Sequence, residues 1–240
     1  MKGIVLAAGR GSRMGHMTSD QPKCMTELGG KTLFDWQRHA MGESGIQDIG
    51  VVCGYLRETF ESFPVHRFCN ERWAETNMVR SLMCADPWLS QDDCVVSYSD
   101  IIYEPDAVGD LLGATGDIVV AYHTGWRALW ERRFDDPLSD AETFRVNEQG
   151  HLIEIGERAK SMDEIKGQYM GLIKFTPQGW ANVYGQLKTY EADALDRLDM
   201  TSLLRHLMEN DVTIDTVPLS GLWYEVDSES DFRLYQSDFI

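Results

Sequence analysis

Leu6-Ala7-Ala8-Gly9-Arg10-Gly11-Ser12-Arg13-Met14, with Pro22-Lys23 downstream, gathers small residues and three cations into one short stretch. With no bulky side chain around Ala7, Ala8 and Gly9, a flat base and a triphosphate can approach the backbone closely. Arg10 and Arg13 put charge where phosphates would lie. Lys23, after a proline, is a point charge suited to an α-phosphate. These are the requirements of a nucleoside triphosphate site. A generic glycine-rich turn would explain a lone Gly-x-Gly, but not the strand before it and the Pro-Lys after it. A dinucleotide site would need a helix opening directly on the glycines, whereas Ser-Arg-Met and a long polar loop follow here.

Other residues with chemical potential lie at the ends of apolar runs. Asp100 follows residues 94–97 and Ser99, and Asp227 ends the run 223–226. Two carboxylates meeting at one sheet edge could hold Mg²⁺, which accepts a few protein oxygens and leaves positions for phosphate. Taken singly, each suits a turn or a cap, and Asp227 before Ser-Glu-Ser has the look of a cap. Asn77 reads as the N-cap of a helix over 78–85. Trp126, Trp130 and Arg133 stand at i, i+4 and i+7 and can share a helix face. With Tyr169, Trp180, Trp223, Tyr224 and Glu225 they could line a small-molecule site of either of two kinds. An aromatic cage with an acid would suit a cationic amine, and an arginine face would suit a carboxylate. The same aromatics equally suit a core. Lys160 is a candidate for an acceptor phosphate. No Ser–His–Asp or Cys–His arrangement competes.

The elements that must position these groups alternate. Strands are expected over 2–6, 48–53, 65–69, 94–97 and 118–121, with helices over 32–43, 55–63 and 107–112 between them. This predicts an α/β fold: a Rossmann-like, mostly parallel sheet with helices on both faces and ligand at the C-terminal strand edge. Beyond residue 122 longer polar insertions appear. Strands at 143–147, 151–155, 168–175, 213–217 and 223–226 and helices near 179–190 and 201–209 would add a small β flank on the acceptor side. One domain, 1–240, is expected, with a nucleotide half (about 1–122) and an acceptor half (about 123–240). The 240 residues are 43% hydrophobic, enough for a sizeable core.

Formal charge is −17, which disfavours nucleic acid or an anionic membrane as partner. The five cysteines form no CxxC and the six histidines no ligand cluster, so neither a disulfide framework nor a zinc site is expected. The N-terminal apolar run is too short for a signal peptide, and a cytoplasmic location is the natural expectation.

The opening LAAGRGSRM with its downstream PK resembles the signature of the sugar-nucleotidyltransferase-like superfamily. Asn77-Met78-Val79-Arg80-Ser81-Leu82, Ser97-Tyr98-Ser99-Asp100 and Trp223-Tyr224-Glu225-Val226-Asp227-Ser228 are similar to pieces of its small-acceptor cytidylyltransferase branch, which acts on phosphocholine and 2-aminoethylphosphonate. Ser99-Asp100-Ile101-Ile102-Tyr103, the stretch from Leu129-Trp130 to Pro137-Leu138, and that from Gln168-Tyr169 to Lys174-Phe175 resemble the phosphoglutamine cytidylyltransferases of capsular phosphoramidate biosynthesis.

The resemblance implies that residues 6–12 wrap CTP, that Arg13 and Lys23 bind its phosphates and the transition state, and that Asp100 and Asp227 ligate Mg²⁺. It places Asn77 near the base or ribose. The implied reaction is attack by a phosphate or phosphonate oxygen on the α-phosphorus, with loss of pyrophosphate, in surface-polysaccharide or phosphonate modification. The Glu-Lys-Pro of related sugar enzymes is absent around Lys160. Two other functions stay open: a sugar-1-phosphate uridylyl- or thymidylyltransferase, and a non-catalytic nucleotide-binding regulatory subunit. Association as a homodimer is also open.

Overall fold

The structure, a computed structural model, describes residues 1–239. Strand β1 (Lys2–Ala7) sends Val5 and Ala7 into one core and Ile4 and Leu6 into another. Burial on both faces is what a central parallel strand requires. A two-residue hairpin follows, β2 (Glu27–Leu28) with β3 (Lys31–Thr32). Then come β4 (Asp48–Cys53), β5 (His66–Cys69), β6 (Cys94–Tyr98), β7 (Ile101–Tyr103) and β8 (Ile118–His123). The second half adds β9 (Glu142–Val146), β10 (Leu152–Arg158), β11 (Gln168–Phe175), β12 (Asp215–Leu219) and β13 (Trp223–Glu225).

Seven of these strands form one sheet in the order β12-β8-β11-β6-β1-β4-β5. All its pairings are parallel except those of β11, which runs antiparallel to β6 and β8. A strand of the second half therefore lies between two strands of the first, and the halves share one sheet. Because β4 and β6 flank β1 on opposite sides, a crevice opens at its C-terminal end, where such sheets bind ligands.

Nine helices cover the faces: α1 (Leu33–Glu43), α2 (Met78–Met83), α3 (Asp86–Leu89), α4 (Pro105–Gly113), α5 (Trp126–Arg133), α6 (Pro177–Leu187), α7 (Ala192–Arg197), α8 (Met200–Glu209) and α9 (Glu229–Gln236), counted among the described residues. Buried residues of α1, α4, α5 and α9 join the core that holds Val5, and those of the other five join the core that holds Ile4. The antiparallel β9–β10 pair stands apart from the main sheet as a small β flank.

Several expectations shift. The helix expected over 55–63 is a 3₁₀ segment, Arg57–Ser62, entered through Leu56 in the left-handed region with no side-chain cap. The strand expected over 213–217 lies two residues later as β12, whose Pro218 is tolerated because β12 is an edge. Strand β13 does not join the main sheet. It pairs with β7, a strand the sequence reading missed because it follows β6 after only two residues. No helix among the described residues is long and apolar enough to cross a membrane.

Candidate active site

Chain leaving β1 turns at once over the sheet edge. The Ala8 carbonyl accepts from the Tyr55 N–H at 2.9 Å, and the Arg10 guanidinium lies 5.8 Å from the Tyr55 ring centre. Gly11 has φ 73°, and a Cβ there would stand 2.7 Å from Lys23 Cβ. Glycine is needed for both the conformation and the contact. The loop backbone thus rests on the aliphatic stem of Lys23. Met14, fully buried, anchors the far end of the turn. Leu6, Ala7 and Ala8 are buried at the strand end, while Gly9, Arg10 and Ser12 are exposed above it.

The two aspartates meet because β13 pairs with β7. Glu225 lies opposite Ile101, and the Val226 N–H donates to the Asp100 carbonyl at 2.8 Å. Lys23 Nζ bridges the pair, donating to Asp100 Oδ2 at 2.8 Å and Asp227 Oδ1 at 2.7 Å. The Lys23 side chain is only 8% exposed. Arg13 Nη2 reaches Asp227 Oδ1 at 3.0 Å from a side chain 70% exposed. Burial works against the Lys23 charge, but the two carboxylates outweigh it and hold its pKa above the ordinary lysine value. Burial likewise opposes the Asp227 charge, and Lys23, Arg13 and Arg133 together hold its pKa below the ordinary value.

Asp100 Oδ1 is buried with no hydrogen-bond partner among the described residues. An unclaimed carboxylate oxygen beside a second carboxylate fits a hard divalent cation. No group of three or more His, Cys, Asp or Glu arranged for a metal occurs among the described residues. The chain would supply two carboxylates and leave the other positions to water or phosphate. Ser99 occupies the turn before Asp100, half-buried.

Asp227 also lines a cavity of ≈ 200 Å³ between β6, β11 and the β9–β10 flank. Tyr98, Trp130 and Tyr169 contribute aromatic surface, and Asp140, Glu142 and Glu225 contribute carboxylates. Gly171, with φ 76°, makes room for Tyr98, whose ring would stand 2.7 Å from a Cβ there. Burial in the cavity wall, then Asp199 and Asp140, push the Glu142 carboxyl above its ordinary pKa.

Of the acceptor residues expected from sequence, Trp130, Tyr169 and Glu225 line this cavity, Trp180, Trp223 and Tyr224 are buried core outside it, and three more also stand apart. Trp126 is buried core, edge-on to Trp130 at 6.0 Å. The Arg133 side chain is 1% exposed and committed to Glu225 and Asp231, so it cannot meet a ligand carboxylate. Lys160 is exposed and lies outside the lining. Asn77 caps α2, accepting from the Met78 N–H at 2.8 Å, and donates to the Arg197 carbonyl at 3.2 Å. Sequence reading missed Tyr98, Asp140 and Glu142. Tyr98 stood within a quoted motif, but nothing local marks the two acids among so many others.

A backbone cradle at the end of a parallel strand, with a lysine clasped by two carboxylates beneath it, suits transfer of a nucleotidyl group from an NTP. The class is nucleotidyltransferase. More narrowly, the chain belongs to the family of MobA-like NTP transferase domains, whose profile matches residues 3–199. That span includes Lys23 and Asp100 and stops short of Asp227. Over 250 aligned positions, covering 98% of both proteins, the chain is 36% identical to a CTP:phosphoglutamine cytidylyltransferase of Campylobacter jejuni. It is 38% identical over 86 residues to a choline-phosphate cytidylyltransferase of Streptococcus pneumoniae, a match covering 34% of this chain and 38% of that one. Its fold is shared with the inositol-1-phosphate CTP transferase of T. maritima, at TM-score 0.77 and 20% identity over 99% of this chain and 95% of that one.

Proposed function

We propose that the chain is a cytidylyltransferase that moves CMP from CTP to a phosphate or phosphonate oxygen of a small amino-bearing compound, releasing pyrophosphate. The observation that carries this reading is the junction at Asp227, which belongs both to the lysine clasp under the nucleotide loop and to the wall of an acidic, aromatic cavity. An acceptor whose phosphate points toward Asp227 would direct its other end at Asp140 and Glu142. Neither of these forms an ion pair among the described residues. Carboxylates beside Tyr98, Trp130 and Tyr169 favour an ammonium group there, by charge and by cation–π attraction of about 0.5–2 kcal/mol per ring. The full-length likeness to a phosphoglutamine cytidylyltransferase supports CTP as donor and an amino-bearing acceptor.

The acceptor oxygen is already anionic, so no general base is required. Residues 6–12 hold the nucleotide, with Asn77 and Ser99 at the edge of its site. Arg10 and Arg13 attract the phosphates, and Lys23 neutralises charge on the α-phosphoryl group as it becomes five-coordinate. Mg²⁺ on Asp100 and Asp227 would offset triphosphate charge and orient the phosphates.

The test is pyrophosphate release with and without Mg²⁺, with each of four NTPs, against phosphocholine, 2-aminoethylphosphonate, phosphoglutamine and sugar 1-phosphates. Release with CTP and one amino-bearing acceptor is expected. Turnover only with UTP or dTTP and a sugar phosphate would replace the cytidylyl reading, and no turnover with any pair would favour a regulatory role.

A further inference from the structure

Asp227 is held from both sides by groups outside the nucleotide loop. Behind it in the chain, the Asp231 carboxylate accepts through Oδ2 from the Asp227 N–H at 3.1 Å, the Ser228 N–H at 2.9 Å and Ser228 Oγ at 2.7 Å. The Ser228 contacts form a capping box at the start of α9, and a cap requires no more. The bond to the Asp227 N–H is additional and fixes the backbone of the very residue that clasps Lys23. Arg133 then ties Asp231 to α5, donating from Nε to Asp231 Oδ1 at 2.9 Å. The same guanidinium donates from Nη1 to Glu225 Oε2 at 2.5 Å, two residues ahead of Asp227. It lies 4.9 Å from the Trp130 ring centre and 5.0 Å from that of Phe134. Asp231 is 4% exposed and the Arg133 side chain 1%.

A buried ion group of this kind is a weak source of net stability, because desolvation offsets much of the attraction. Its geometric effect is strong: residues 225 and 231 are locked to one rigid planar group, and residue 227 is tied to it through Asp231. We infer that Asp231 and Arg133 are positioning residues, which set the Asp227 carboxylate against Asp100 and thereby fix the divalent-cation site of the transfer reaction. The inference rests on the functional reading above. It goes beyond it by assigning control of the cation site to side chains that touch neither cation nor substrate. It also links that site to α5, whose Trp130 lines the acceptor cavity.

The experiment uses the full chain as wild type and as Asp231→Ala, Asp231→Asn, Arg133→Met and Arg127→Met. Arg127 lies on the same helix but, among the described residues, pairs only with Glu131 at the surface, and its variant serves as control. Three quantities are measured: Mn²⁺ affinity of the nucleotide-free protein by electron paramagnetic resonance, the Mg²⁺ concentration for half-maximal turnover, and kcat separately from acceptor KM. Asp231→Ala is expected to weaken both metal constants by about 10–100-fold, the range for removing a group that orients a metal ligand. Its kcat falls while acceptor KM holds. Asp231→Asn keeps an oxygen for the Asp227 N–H and restores part of the loss. Arg133→Met shifts the metal constants the same way by less, and Arg127→Met leaves them unchanged.

Wild-type metal constants in Asp231→Ala and Arg133→Met, whatever their melting temperatures, would overturn the inference. If Asp231→Ala does not fold, Asp231→Asn and Arg133→Met decide it by the same constants. A wild-type chain that neither binds Mn²⁺ nor transfers a nucleotidyl group would instead overturn the functional reading beneath it.

Discussion

Asp100 and the loop after β1 leave the ends of buried parallel strands, Lys23 stands on a short 3₁₀ turn and Asp227 follows β13, and these groups are packed against one another before any ligand arrives. The Gly11 backbone rests on the stem of Lys23, Lys23 fills the gap between Asp100 and Asp227, and Met14 pins the loop into the core. Across the same cleft, the proposed acceptor side is a cavity walled by side chains from several elements, with Asp140 and Glu142 standing free of ion pairs among the described residues. The first arrangement is preorganised and intolerant of change, as the stabilisation of a common phosphoryl transition state requires. The second leaves room for substitution, which suits a site that selects among small acceptors. On this contrast, changes on the nucleotide side should strike turnover and stability together, and changes on the acceptor side should strike acceptor KM alone.

The largest expected effect is that of Lys23→Met. Turnover should fall by at least about 10²–10³-fold, the range for loss of one preorganised charge-stabilising group. It also leaves two carboxylates facing each other in a half-buried setting, so stability should drop by on the order of 3 kcal/mol. Added Mg²⁺ should recover part of that drop in a melting experiment. Near-normal turnover would remove Lys23 from the chemistry. Gly11→Ala comes next: it forces an L side chain to positive φ and against Lys23. A loss of about 1–3 kcal/mol is expected, read as a lower denaturation midpoint together with a raised KM for CTP.

Glu142→Gln should sharpen the contrast from the other side. Acceptor KM is expected to rise by about 10-fold, equivalent to about 1.4 kcal/mol of lost charge attraction, with CTP KM and melting temperature unmoved. A shift in CTP KM would mean that the two regions are not separable. The smallest effect is expected for Lys160→Ala, since that residue is exposed and outside the cavity lining. All constants should stay within about twofold of wild type, and a large rise in acceptor KM would return Lys160 to the acceptor site.

How far each region could be read beforehand follows the same division. The run LAAGRGSRM carries its own meaning, because close backbone approach, positive φ at Gly11 and flanking cations are local demands that local residue types satisfy. The alternating strands and helices of the first half were legible for the same reason, since periodicity reports burial directly. Reading was poorer where one residue type serves two ends. Arg133 on a face with Trp126 and Trp130 looked like a ligand-binding row, and the fold turned that row inward, so the guanidinium went to Glu225 and Asp231. The 3₁₀ segment Arg57–Ser62, in place of the helix expected over 55–63, lacks a capping side chain that would have marked its start. Asp140 and Glu142 were invisible for want of any spacing signal.

By itself the sequence determined the glycine-bearing loop after β1, the α/β class and the lysine available to that loop. Each of these depends on neighbours a few residues away. Tertiary structure alone decided that Lys23 meets Asp227 across 204 positions of chain. It also decided that Asp231 and Arg133 stand behind that meeting, and that the Asp140 and Glu142 carboxylates line the cavity beside it. These contacts exist because β13 pairs with β7 and α5 packs against α9, and long-range pairings of that kind leave no period or motif in the chain that makes them.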